Sequence, residues 1–183
     1  MRRTSATSPR SVARRAMSTA TQSRPSGSIE SNGLATPWGY EDLVMAARSG
    51  AHAVLLPKVE SADMVCQAAG ILVAQGAPDA LAIRCMMETP RGMLHAEEIA
   101  DAHPRVGGFV MGTSDLANDL HAGHTRERLP MLTSLGQRLL AGRAAGIAVL
   151  DGVHLDLADD EGFAASCRQG AELGFDGKTL IHP

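Results

Sequence analysis

Aromatic residues are almost missing from this chain: one Trp, one Tyr and three Phe in 183 residues. A core built without them must pack small aliphatic side chains, and Ala, Gly and Val dominate, which suits closely packed strand–helix units. Cysteine is scarce too. Cys66, Cys85 and Cys167 are odd in number and lack metal-type spacing, so they read as buried free thiols of a reducing compartment. No apolar run is long enough to cross a bilayer, and no internal repeat is visible. The net charge of −3 conceals +5 in residues 1–30 and −8 in the remainder. So acidic a main body argues against a nucleic-acid partner.

What is present is a balanced, 44% hydrophobic sequence of the size of one ordinary domain. Its central stretch runs from Asp79 to Ala100. The apolar run Ala80–Met87 lies between Pro78 and Pro90, which predicts a strand buried on both faces, as in a parallel sheet. It ends in Glu88. A second apolar run, Val106–Gly112, is followed by Asp115, 27 residues after Glu88 and so about one βα unit further on. Carboxyl ends of parallel strands are where α/β folds place chemistry, and two carboxylates there can share one hard cation. The competing reading of Glu88 as a helix cap or salt-bridge partner stays open at this point.

Along the chain, Met1–Ser31 is Arg-, Ser- and Thr-rich with no periodic apolar residues, and it reads as a disordered leader. An organelle transit peptide is one alternative, which would make the location mitochondrial instead of cytoplasmic; the preferred reading is that these residues are not native family sequence, through a misassigned start or a change of reading frame. Gly39–Ser49 has helical spacing, and Gly50 closes it. His52–Pro57 reads as a strand with Lys58 at its mouth, and Ser61 as the cap of a helix reaching about Gln75. Thr89–Gly92 is expected to turn and to offer backbone N–H groups to a carboxylate. A helix around Leu94–Ala102 follows, and Thr113 or Ser114 is expected to cap a short turn to Leu120. His121 and His124 read as surface histidines, there being no third ligand nearby. A helix over Arg128–Ala145, a strand over Ile147–Leu150 with Asp151 at its mouth, a helix over Glu161–Leu173 and a last strand over Gly177–Ile181 complete the alternation. Short joints between alternating elements mean parallel βαβ units.

Five segments in order carry a resemblance: Leu56-Pro-Lys-Val-Glu-Ser61, Met87-Glu-Thr-Pro-Arg-Gly-Met93, Met111-Gly-Thr-Ser-Asp-Leu116, Leu150-Asp-Gly-Val153 and Gly174-Phe-Asp-Gly-Lys-Thr-Leu-Ile-His-Pro183. The chain resembles the citrate lyase β-subunit-like branch of the HpcH/HpaI aldolase superfamily from about Asn32 onward. The resemblance implies an α/β fold, a partial (β/α)8 barrel with the last five of eight strands, and places residues 32–183 in it, with 1–31 outside. It implies Mg²⁺, with Mn²⁺ as a substitute, on Glu88 and Asp115. Lys58 and Asp151 would be catalytic; Thr89, Pro90, Arg91, Gly92 and Gly112 would bind substrate. The implied reaction is retro-Claisen cleavage of a 3-hydroxyacyl-CoA such as malyl-CoA to acetyl-CoA and a 2-oxo acid, in a homo-oligomer without membrane or nucleic-acid partners. Glu30 stands where relatives carry an active-site Arg, and the relatives' first strands and C-terminal lid have no counterpart. Weak or absent turnover is therefore expected. A non-catalytic interaction module with a vestigial metal site is the alternative, and a metal-dependent 2-oxo acid aldolase is a second.

Overall fold

The structure is a computed structural model that describes residues 27–181. Most of the expected leader lies outside those residues. Its last part does not: Ser28–Glu30 forms strand β1, pairing in parallel with β2, Ala53–Leu56. Next come β3, Ala82–Met87; β4, Val106–Met111; β5, Ala148–Asp151; and β6, Gly177–Lys178. All neighbours are parallel and the spatial order is the sequence order, β1 to β6. The described residues thus hold six strands rather than five. The last is two residues long rather than the five expected.

Crossovers between parallel neighbours share one hand, so a sheet in strict sequence order has its helices on a single face and curls round the other. These helices are α1 (Gly39–Arg48), α2 (Ala62–Ala74), α3 (Pro90–Leu94), α4 (Ala96–Asp101), α5 (Thr113–Asp119), α6 (Leu132–Ala145) and α7 (Asp160–Leu173). A short 3₁₀ turn, Leu129–Met131, takes the start of the expected Arg128–Ala145 helix. Ser61 caps α2 by accepting from Met64 N–H, and Gly146 and Gly174 close α6 and α7 in the left-handed conformation that glycine adopts without strain.

The core lies between sheet and helices. Val54, Leu56, Ile83, Cys85, Met87, Phe109 and Val149 point into it from the strands. Val65, Ala68, Ala69 and Leu72 meet them from α2 at helical spacing. On β3 burial alternates, with Ala82, Arg84 and Met86 only half-buried on the concave face. The expectation of a strand buried on both faces is therefore corrected. The described sheet stays open between β1 and β6.

A cationic side chain is buried at the end of α3. Arg138 of α6 is 2% exposed and donates to the carbonyls of Gly92 and Met93. Burial lowers its pKa to about 10. Those carbonyls end the short helix α3, so a cation from the sequence-distant α6 secures the segment that follows Glu88.

Candidate metal and substrate site

Strand alternation assigns each mouth residue to a face. Glu88, just past β3, has the parity of Arg84 and Met86 and falls on the concave side. It is 6% exposed, and its Oε1 accepts from the backbone N–H of Lys58 at 2.8 Å. The β3–β4 register brings Gly112 directly alongside: Gly112 N–H donates to Met87 O, and a Cβ on Gly112 would stand 2.6 Å from Glu88 Oε2. Gly112 is thus needed for close approach to Glu88. Burial raises the Glu88 pKa, the Lys58 N–H opposes this, and the negative charges of Asp115 and Glu30 push it further up.

Asp115 lies in the first turn of α5, which follows β4 directly. Gly112 is the helix N-cap, and neither Thr113 nor Ser114 caps it with a side chain, contrary to expectation. Lys58 joins the two carboxylates. Its backbone is left-handed, with φ 48°, and its Nζ lies 2.8 Å from Asp115 Oδ2 while its own N–H holds Glu88. The hydrogen bond and charge of Asp115 raise the Lys58 pKa. A non-glycine residue in this conformation costs of order 1 kcal/mol and points to a local constraint.

The segment Thr89–Gly92 is the start of α3 rather than a free turn. Thr89 Oγ1 accepts from Gly92 N–H at 3.1 Å, and Met93 N–H donates to Thr89 O. Pro90 has no N–H and the Gly92 N–H is taken by Thr89 Oγ1, which removes two of the four positions expected to offer a donor to an anion. The Arg91 side chain is exposed and only loosely paired with Glu60, at 3.9 Å. His121 and His124 are exposed.

Asp151 lies elsewhere. It shares the parity of Val149 and Met111, so it points into the helix layer, and it is 1% exposed. Both its oxygens accept from Arg128 Nη1, at 2.7 and 2.8 Å; Lys178 Nζ is 3.0 Å away, and Gly152 N–H donates at 2.8 Å. Gly170 of α7 lies over it. Its acceptor directions are occupied, so in this structure the carboxylate is the hub of a buried ion cluster. Arg128 and Lys178 lie 23 and 27 residues away; Lys178 falls within the last of the five segments, but nothing local in the sequence marks either residue as a partner of Asp151.

The donor set fits a magnesium ion. Two carboxylates stand at adjacent mouths and are linked through Lys58, one by its backbone N–H and one by its ammonium, and Mg²⁺ characteristically takes one or two carboxylates and keeps waters. Among the described residues no cluster of three or more His, Cys, Asp or Glu could hold a metal.

A singly wound parallel sheet with helices on one face and carboxylates at adjacent strand ends defines an α/β-barrel-type protein. The comparisons are more particular: the chain belongs to the HpcH/HpaI aldolase/citrate lyase family, which matches residues 6–183. That range reaches back into the segment read as an unrelated leader. A (3S)-malyl-CoA thioesterase of Cereibacter sphaeroides is 49% identical over 156 residues, 85% of this chain and 52% of the relative. Citrate lyase subunit beta of Escherichia coli is 34% identical over 160 residues, 85% of this chain and 53% of the relative. The chain spans about half the length of these curated relatives. Among solved structures, the citrate lyase beta subunit of Mycobacterium tuberculosis complexed with oxaloacetate and magnesium has a TM-score of 0.70 at 33% identity, over 85% of this chain and 67% of that one. The family includes lyases acting on C–C bonds.

Proposed function

We propose that this chain carries the metal and acyl-binding half of a magnesium-dependent CoA-ester lyase, whose reaction is retro-Claisen cleavage of a 3-hydroxyacyl-CoA such as malyl-CoA. The observation that carries the reading is the pairing of Glu88 and Asp115 at adjacent strand mouths through Lys58. Glu88 and Asp115 would hold Mg²⁺, which when bound supplies Lewis-acid polarisation of a substrate oxygen. Gly112 leaves room for Glu88 at that position, and the Arg138-anchored α3 keeps its exit from the strand fixed. The Lys58 ammonium is the cation next to the site and the natural partner for negative charge on the departing acyl-CoA.

Glu30 works against this. Its charge acts on Glu88 from β1, two strands away in the sheet, at the position where the resemblance calls for an Arg. One missing charge-stabilising donor costs roughly 10²–10³-fold in rate. Turnover by the chain is therefore slow.

Hydrolysis of the thioester is the second reading, favoured by the 49% identity to malyl-CoA thioesterases. One assay separates the two. Malyl-CoA and Mg²⁺ are incubated with the purified chain; cleavage gives acetyl-CoA and glyoxylate, whereas hydrolysis gives malate and free CoA thiol. We expect slow cleavage, raised by Glu30→Arg and abolished by Asp115→Asn. Undiminished turnover in Asp115→Asn would overturn the assignment of the site.

A further inference from the structure

We propose that Lys58 is a built-in counter-cation that holds the site in its metal-free state and is displaced from Asp115 when a divalent cation binds. The inference rests on the metal-site reading above and adds a regulatory element to it. The geometry is the argument. One residue engages both carboxylates by different means: its backbone N–H binds Glu88 Oε1 and its Nζ binds Asp115 Oδ2, each at 2.8 Å. The two contacts differ in permanence. The N–H contact belongs to a left-handed backbone at the end of β2 and is made with a nearly buried carboxylate. The Nζ contact joins side chains that are 60% and 43% exposed, at the end of a flexible stem. A metal can replace the second without disturbing the first.

The chain pairs its lysines with mouth aspartates twice. Lys58 and Lys178 are the lysines of the sequence, and Lys178 Nζ sits on Asp151 with 9% exposure. Lys178 and Asp151 are locked under α7 with Arg128, a permanent arrangement. Lys58 and Asp115 stand open over the hollow. One pair has the burial of a structural ion pair, the other that of an exchangeable one. Exchange has a consequence for the substrate: the freed ammonium remains at the mouth, tethered by its own N–H to Glu88. The cation that fills the site thereby releases a second positive charge to an anionic acyl group.

Exposed pairs are weak, so the competition is modest; removing it should tighten metal binding about three- to tenfold. The probe is Mn²⁺, read by electron paramagnetic resonance on the full chain. Lys58→Gln should bind Mn²⁺ three- to tenfold tighter than the parent, Lys58→Arg should bind like the parent, and Asp115→Asn should lose binding. Should Lys58→Gln fail to fold, Lys58→Asn is read in the same way, because Asn tolerates the left-handed backbone. A second readout needs no variant. Acetic anhydride labelling followed by peptide mass spectrometry should show Lys58 modified more readily with saturating Mg²⁺, while Lys178 is unchanged. Unchanged or weaker Mn²⁺ binding in Lys58→Gln overturns the proposal and leaves the metal site standing. No Mn²⁺ binding by the parent or by Lys58→Gln overturns both.

Discussion

Asp151→Asn should unfold this protein at markedly lower denaturant, and the size of the loss separates a structural from a catalytic role. The carboxylate is 1% exposed and faces two cations that are themselves largely buried, Arg128 at 14% and Lys178 at 9%. Amidation keeps the shape and removes the charge, stranding both cations in the helix layer. Breaking a buried pair in this way costs about 3–5 kcal/mol. Domains have only ~5–15 kcal/mol of stability in total. With an m-value of about 2 kcal/mol/M, the urea midpoint falls by roughly 2 M. Circular dichroism against urea reads this directly. Replacing the set together, Asp151→Leu with Arg128→Met and Lys178→Met, should recover most of the loss, because an apolar set of similar volume carries no desolvation penalty. A loss under ~1 kcal/mol in Asp151→Asn, together with vanished CoA-ester turnover, would refute this and place Asp151 at the substrate.

Gly112→Ala would put a methyl group 2.6 Å from Glu88 Oε2, so Glu88 must move off its Lys58 N–H; Mn²⁺ affinity should fall at least about tenfold, with stability down by ~1–3 kcal/mol. Unaltered affinity would show that Glu88 holds no metal. Cys85 is fully buried and burial pushes its thiol up to about 12, whereas Cys66 is exposed. Under native conditions at pH 8, Ellman's reagent should therefore modify Cys66 and spare Cys85 until the protein unfolds. Asp176 accepts from Arg143 at 2.8 and 2.9 Å and from Val149 N–H at 2.7 Å, and the Arg143 guanidinium beside it holds its carboxyl below the usual range. Its folded pKa lies under the unfolded value of about 3.9, so its contribution is complete above that pH and is lost as pH falls through the folded value. Asp176→Asn should lower stability at neutral pH and flatten the acid limb of a stability–pH profile; an unchanged acid limb would contradict the pairing.

Much of this architecture is legible locally. Apolar runs between Pro and Gly breakers locate β2 to β5, Ser61 marks a helix start, and Gly146 marks a helix end. Five ordered motifs are enough to reach the family, and the carboxylates ending two runs are enough to pick out Glu88 and Asp115. These signals are legible because each depends on a residue and its near neighbours. β1 is different: Ser28-Ile-Glu30 has little strand character of its own and becomes a strand by hydrogen bonding to the exposed edge of β2. The same holds for the direction of each mouth carboxylate. Glu88 and Asp151 both end apolar runs, yet strand parity sends the first to the hollow and the second beneath α7. Arg128, Lys178 and the double contact of Lys58 arise from side chains 23 to 57 residues apart that pack only once the sheet register is set. Sequence neighbours determine which residues stand at the strand ends; the register and the helix layer decide which of them remain open to a ligand.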